Sequence, residues 1–574
     1  MTSIGTTNGA IKRLLAADSA VHLAGRILLF AILGCCIIYP IIWVVAGSFR
    51  SEEGWTLAHY NEAFSSYYLR VIGTTLIYAA ASVALSLALG LPLAWLLART
   101  DMPFKGFIRG FAMITFVMPP LFHAIAYVFI FQPRAGLANQ VLNAWFGIQP
   151  FNIYTLTGMV VVTALGLFPL TVLLVEAALH SIDPTLEEAA ATSGAPPNQI
   201  TRKIVLPVVL PAITSSAVLG FIEVLGVFGP PAVIGIPARI YVMSTQIFAD
   251  LSGFPPKFEF AAAVAMVFLV IVALVLLLQD KLLRSGAYTT VTGKGFRARP
   301  VRLRRWKAAA LGYAFLLMLV GVGIPSVVLV GISLSKVWSL GFSLNNITFE
   351  FYHEVLFGGD RMVASFANTL ILAVCTSIAT LVIGLQIATM TAHGGNLTAR
   401  LARIVAFLPF SIPAVVFTLG VVLAYIRPPL ALYGTLWIIL ICYFGRFLPF
   451  AVQPLSDGLR QIDRSLMEAG HVVGAGVFSV TLRVVLPLLK FATASTALLV
   501  FVACIREIVS IALLFSPRTE TLMMTAMLVW AEGQVQLTAA IVVLLVIAVL
   551  LLFIVARFAL RMSSPEKNVR EVST

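Results

Sequence analysis

Charge is scarce in this sequence. Only 11% of its 574 residues are Asp, Glu, Lys or Arg, against 60% hydrophobic, and the mean hydropathy is +1.00. A chain folded in water needs a polar surface, and this one cannot supply it. A soluble globular protein is excluded; what remains is a chain that crosses a bilayer many times. Cysteine is scarce as well. The five, Cys35, Cys36, Cys375, Cys442 and Cys504, all fall in apolar runs. They lack the paired spacing of a zinc site or a disulfide framework and read as small buried hydrophobes. The Gly-x-x-x-x-Gly-Lys-Ser/Thr phosphate loop is missing. Its nearest relative, Gly293-Lys294-Gly295, has neither the hydroxyl residue nor a preceding strand, so the chain is not expected to hydrolyse ATP alone. The apolar runs hold no Ser/His pair, no Asp pair and no His-Glu-x-x-His, which argues against an intramembrane enzyme and leaves no catalytic residue to name. No run carries a metal-ligand cluster, and no cofactor is expected on the chain.

Acids are the rarer charge, 24 against 38 bases, for a net charge of +14. In a soluble protein that balance suggests nucleic acid. Here the bases sit in loops between apolar runs, so membrane orientation explains them better and no nucleic-acid partner is expected. A span needs about 20 apolar residues. Twelve candidates lie near 27–47, 73–97, 109–131, 156–179, 208–229, 260–280, 308–333, 368–391, 403–426, 434–455, 488–514 and 537–560. No small-residue cleavage site follows the first, so it reads as a retained helix rather than a signal peptide. With the N-terminus in the cytoplasm, 27 of the 38 bases are cytoplasmic and nine lie outside, while Arg446 and Arg506 fall within spans. Both termini are therefore expected inside.

The chain divides as a tail 1–24, a six-span unit 25–284, a basic linker 285–307, a second six-span unit 308–560 and a tail 561–574. Residues 281–307 hold nine Lys or Arg and no acid, as suits a stretch facing anionic lipid. The two units repeat each other. Tyr39-Pro40 with Ser48 matches Ile324-Pro325 with Ser333, and Thr56-Leu57 with Tyr60 matches Thr348-Phe349 with Tyr352. Gly73-Thr74-Thr75-Leu76 matches Ala367-Asn368-Thr369-Leu370. Phe116-Val117-Met118-Pro119 matches Phe410-Ser411-Ile412-Pro413, and Pro169 matches Pro449. Six spans is an even number, so the halves run parallel, related by an axis along the membrane normal.

One loop carries the functional signal. Between the fourth and fifth spans runs Asp183-Pro184-Thr185-Leu186-Glu187-Glu188-Ala189-Ala190-Ala191-Thr192-Ser193-Gly194, with Ile204-Val205-Leu206-Pro207 after nine residues. At an offset of 280 come Asp463-Arg464-Ser465-Leu466-Met467-Glu468-Ala469-Gly470-His471-Val472-Val473-Gly474 and then Val484-Val485-Leu486-Pro487. Asp183 suits an N-cap, Pro184 a first helical turn, and Gly194 the left-handed residue that stops a helix. Pro196 or Pro197 starts a second short helix, and Pro207 begins the fifth span. The small Ala189, Ala190 and Ala191 give a slim face able to enter a partner's groove.

The segment resembles the Glu-Ala-Ala loop of ABC importer permeases. Its pattern is Glu-Ala-Ala, three residues, Gly, nine residues, Ile, one residue, Leu-Pro. The first copy matches throughout; the second departs at Gly470 and Val484. The resemblance covers nearly the whole chain. It implies an all-α membrane protein of twelve transmembrane helices, as two parallel six-helix type I ABC importer permease repeats in a bacterial inner membrane. It implies two ABC ATPase subunits docked at Glu187, Glu188, Ala189, Ala190 and Gly194 and at Glu468, Ala469 and Gly474. It also implies a periplasmic solute-binding protein, since the outside loops near 50–72 and 334–366 are too short to fold alone.

Ionisable groups inside spans are costly and face a cavity or a partner. Glu223, Arg506 and Glu507 fall in the fifth spans, Arg446 in the second fourth span and Glu176 near the end of the first. His123 and Tyr127 follow the Pro119-Pro120 break. Glu223, Glu507, Arg506, His123 and Tyr127 are thus expected at the pathway or its gate; a purely structural ion pair is the competing reading. Neighbours in sequence, Arg506 and Glu507 do not face one another on a helix, so each must find another partner.

Within the family the chain looks most like the fused ferric-ion permeases. Fused permeases for 2-aminoethylphosphonate, thiamine and polyamines share much of the pattern. An ion-driven secondary transporter can also have twelve spans in parallel halves. Its loop charges are only faintly echoed by Arg99, Asp101, Lys105 and Arg109, and it has no counterpart of the twin loops.

Overall fold

The computed structural model describes residues 23–562 apart from 52, 149–150, 285–299, 339–342, 393–396, 473 and 475. Nearly all of both expected tails, and most of the basic linker with its Gly293-Lys294-Gly295, lie outside the described residues. In chain order the first half runs α1 (Leu23–Ser48), α2 (Ser66–Arg99), α3 (Lys105–Val117), α4 (Pro120–Phe131), α5 (Leu156–His180), the loop helix α6 (Pro184–Thr192), α7 (Asn198–Gly226), the short α8 (Met243–Ser252) and α9 (Phe258–Lys281). The second runs α10 (Arg304–Ser333), α11 (Asp360–Thr391), α12 (Leu397–Ser411), α13 (Ala414–Tyr425), α14 (Leu436–Arg460), the loop helix α15 (Arg464–Val472), α16 (Thr481–Leu488), α17 (Lys490–Ile505), the short α18 (Leu522–Ala531) and α19 (Val535–Met562). Among the described residues nine helices are long and apolar enough to cross a membrane, and three bent pairs raise the number to twelve. Strand there is limited to a two-residue hairpin, Arg50–Ser51 with Gly54–Trp55. The all-α fold of two six-span repeats is the one the sequence led us to expect.

Three expected spans are not straight. The third spans bend by 95° between α3 and α4 and by 110° between α12 and α13. Proline has no N–H and disfavours the helical region for the residue before it, and here Met118 and Ile412 are extended. The second fifth span, expected as one helix over 488–514, bends by 75° between α16 and α17 and stops at Ile505. Arg506 and Glu507 therefore lie past the helix rather than inside it. The Glu507 carboxylate accepts the Ser510 N–H at 2.9 Å and so starts a separate short helix, Val509–Leu514. Nor does Pro207 begin the first fifth span, because α7 already starts at Asn198.

Pro207 sits instead just after a widened turn. The Leu206 N–H bonds to Thr201 five residues back, and the Leu486 N–H bonds to Thr481 likewise. The first spans repeat this: Tyr39 bonds to Gly34 before Pro40, and Ile324 to Leu319 before Pro325. A wide turn moves the preceding carbonyls off the proline ring. It leaves without a donor the carbonyl that proline's missing N–H would have met. In α1 that carbonyl is Cys35, and Tyr425 of α13 donates to it at 2.7 Å. In α10 it is Val320, and Tyr127 of α4 donates to it at 2.6 Å.

These bonds cross between the halves, and the packing does too. Leu29, Leu33 and Ile37 of α1 pack with Ile383, Ile387, Phe444 and Leu448 of the second half. Ala310, Ala314 and Leu317 of α10 pack with Leu93, Leu97 and Phe168 of the first. Inside each half the second and fourth spans meet at a glycine. A Cβ at Gly90 would sit 2.7 Å from the Thr171 Cβ, and one at Gly384 would sit 2.9 Å from the Ala451 Cβ. Small residues permit such approach where lipid offers no hydrophobic drive to association.

Candidate functional site

The twin loops are built as their sequences indicate. Asp183 caps α6 by accepting the Thr185 N–H at 2.9 Å, and Asp463 caps α15 by accepting the Ser465 N–H at 2.9 Å. That bond holds the Asp463 carboxyl below the usual carboxylate range. Gly194 (φ +86°) and Gly474 (φ +80°) end the loop helices in the left-handed region that favours glycine. Glu188, Ala189 and Gly194 are exposed, as are Glu468, Ala469 and Gly474. Leu186 and Leu466 are nearly half-exposed beside them. Each loop thus presents a narrow apolar strip with an acidic edge.

Glu187 behaves differently. It turns back to pair with Arg99, a buried residue at the end of α2. At its place in the second loop, Met467 packs with Leu455, Leu459 and Val480. The departure at Gly470 also has a reason: a Cβ there would lie 2.9 Å from Val480 Cγ2.

Between the halves, where the bent third spans meet the ends of the fifth, lies a partly open cavity. Glu223, Arg446, Arg506 and Glu507 line it together with Phe410, Phe447 and Phe450. The Glu507 carboxylate lies 2.5 Å from Arg446 Nη1, which also donates to Ser510 Oγ at 2.7 Å. Thr418 donates to the same Ser510 oxygen at 3.1 Å. Arg506 donates to the Phe116 carbonyl at 2.5 Å and lies over the Phe116 ring, capping the broken end of α3 from the other half. The neighbours Arg506 and Glu507 have indeed each taken a different partner. Glu223 is exposed to the cavity.

His123 and Tyr127 do not line this cavity. Both are buried, and both bond to the wide turn of α10, His123 Nε2 to the Gly321 carbonyl at 2.9 Å and Tyr127 to Val320. Glu176, too, lies elsewhere, paired with Arg109 and 3.5 Å from His180 Nε2. Sequence reading missed Ser510 and Thr418, ordinary apolar-run hydroxyls that only the fold brings to Arg446. It also missed the role of Arg99, although an arginine ending a long apolar run was a visible signal.

The family described as binding-protein-dependent transport system inner membrane component matches residues 90–285 and 380–568, more than half of the chain. A putative ferric transport system permease protein, FbpB 1, from Haemophilus influenzae is 25% identical over 90% of this chain and 82% of its own length. A ferric transport system permease protein from Actinobacillus pleuropneumoniae is 26% identical over 84% of this chain and 70% of its own. A putative 2-aminoethylphosphonate transport system permease protein from Salmonella choleraesuis is 28% identical over 44% of this chain and 94% of its own.

Proposed function

The chain belongs to the family of binding-protein-dependent transport system inner membrane components, multi-pass permeases of ABC importers, and from that premise we propose that it docks two ATPase subunits and carries ferric iron. One observation carries the docking: the same capped helix and left-handed glycine occur at equivalent places in both halves, with their small side chains exposed. The excess of bases in the loops on that side supports a cytoplasmic position for α6, α15 and both termini. A separate ATPase supplies the hydrolysis, because the chain has no phosphate loop of its own, and a periplasmic binding protein delivers the cargo. The cavity, with Glu223, Glu507 and Arg506 on its wall, is the pathway between them.

Ferric iron is the cargo favoured because two relatives that match over 90% and 84% of this chain are named ferric transport permeases. The deciding experiment is uptake of radiolabelled ferric iron into proteoliposomes holding the chain, its ATPase and its binding protein. Uptake should need ATP, and Glu468→Lys or Gly474→Asp should abolish it while the chain still reaches the membrane. Uptake that survives both substitutions sinks the docking role, and uptake driven by a proton gradient alone sinks the ATP-driven reading. Transport of 2-aminoethylphosphonate in place of iron would change the cargo and leave the docking intact.

A further inference from the structure

The far pieces of the two broken third spans are buried in the protein. α4 is buried from Leu121 to Ile130, and α13 from Val415 to Tyr425, so neither turns a side of its own to lipid. They leave the membrane on the face opposite α6 and α15, and there the halves differ. α13 runs to α14 through residues 426–435, where Arg427 Nη2 lies 2.8 Å from the Glu259 carboxylate of α9. α4 runs to α5 through residues 132–155, more than twice as long, and this connection carries a helix of its own, Leu137–Phe146.

That helix is tied to the end of α4. Asn139 is buried, and its Nδ2 donates to the Gln132 carbonyl at 3.1 Å and to the Phe151 carbonyl at 2.7 Å. The Phe151 ring meets the Phe131 ring edge-on, with centroids 5.3 Å apart. The helix therefore sits at the level where the span ends. Its apolar side is turned outward. Val141 and Trp145 lie one turn apart with Phe146 beside them, and Ile148 follows the left-handed Gly147. Trp145 is 77% exposed and Phe146 65%, while Val141, Ile148 and Phe151 are about half-exposed. Gln140 and Asn143 take the opposite side of the helix. No charged residue occurs between Arg134 and Glu176.

Water disfavours so many large apolar side chains gathered in one place. A protein partner would meet no charge here to set its register. A bilayer boundary suits both facts. Trp and Phe are favoured at that depth, and a helix lying in the plane needs only its polar side wet. We propose that Leu137–Phe146 is a foot set into the leaflet on the face opposite α6 and α15, with Val141, Trp145, Phe146 and Ile148 among the lipids, and that through Asn139 it anchors the buried half-span α4. The foot has no charge with which to choose a head group, so zwitterionic and anionic phospholipids serve alike. The inference depends neither on the cargo nor on which face is cytoplasmic.

Photocrosslinking from the full chain in nanodiscs tests it. A benzoylphenylalanine probe placed at position 145 should give on the order of tenfold more phospholipid adduct than one placed at position 143. The yields should be alike in phosphatidylcholine and phosphatidylglycerol discs, and should persist when the periplasmic binding protein is added. Equal adducts at the two positions overturn the foot. So does a crosslink to the binding protein, or to a second copy of the chain, in place of lipid. Adducts confined to phosphatidylglycerol overturn the claim that no head group is chosen. The anchor is read by amide exchange. Trp145→Ser with Phe146→Ser should speed exchange in the last turn of α4 roughly tenfold, and so should Asn139→Asp, which sets an acceptor against two carbonyls. An α4 rate indifferent to both variants overturns the anchoring role.

Discussion

The two fifth spans reach the same cavity by different means. In the first half α7 is one helix from Asn198 to Gly226, and it brings a single charge, Glu223. In the second the path is bent and ends at Ile505, and this half brings Arg446, Arg506 and Glu507. By the offset of 280, the partners of those three in the first half are Gly166, Gly226 and Val227, and the partner of Glu223 is Ala503. What repeats is the backbone machinery: the prolines, their wide turns and the glycines where helices touch. The charges at the cavity do not repeat. A duplicated frame has kept what every copy needs to fold, while the interior chemistry differs between copies.

If that division is real, damage to the charges and damage to the frame should look different. The largest effect is expected at Glu507. Glu507→Ala leaves Arg446 enclosed with its carboxylate gone, and breaking such a pair costs about 3–5 kcal/mol. The chain should melt far earlier in detergent and accumulate poorly. Replacing both partners, Arg446→Leu with Glu507→Leu, should recover most of the stability, because an apolar pair of similar size costs little. If transport returns with stability, the pair is only a scaffold; if it stays lost, the charges serve the pathway.

Next come the glycines, where the halves should agree. Gly90→Ala pushes a methyl into Thr171, and Gly384→Ala pushes one into Ala451. Overpacking of this kind costs about 1–3 kcal/mol, and thermal unfolding should show similar losses for the two. A large loss at one and none at the other would mean that the two crossings are not equivalent.

Much of this was legible in the sequence, and the reason is physical. Apolar runs, capping Asp, helix-stopping Gly and the Leu-Pro pair act locally, so composition and spacing reveal them. The third spans were marked as breaks by Pro119-Pro120, but a proline does not say by how much a helix turns. His123 and Tyr127 were singled out because they are polar in an apolar run. They proved to be answers to a need elsewhere, the carbonyls left by Pro325 some 200 residues away in the chain. The same holds for Arg99 and Glu187: each was visible, and only the fold made them a pair. Residues whose partners lie far away in the chain are illegible from their own neighbourhood.

The smallest difference is expected at the matched threonines, and it is the sharpest test of the comparison. Thr75 Oγ1 accepts the Met243 N–H that opens α8, and Thr369 Oγ1 accepts the Leu522 N–H that opens α18, each at 2.9 Å. Both amides are buried first-turn donors, which need an acceptor. Valine keeps the shape and removes the oxygen, so each substitution forfeits two hydrogen bonds, the one to that N–H and the one the hydroxyl donates to the carbonyl four residues back (Val71 or Ser365), about 1 kcal/mol apiece. The halves differ in what remains. Asn368, beside Thr369, donates to the Glu520 carbonyl at 2.9 Å and the Arg518 carbonyl at 3.1 Å, pinning the chain just before α18. Its counterpart in the repeat, Thr74, is a different residue. Thr369→Val should therefore lower the melting temperature less than Thr75→Val, and adding Asn368→Ala should remove the advantage. Equal losses from the two single substitutions would show that Asn368 adds nothing to the hold on α18, and that the two short helices are anchored alike after all.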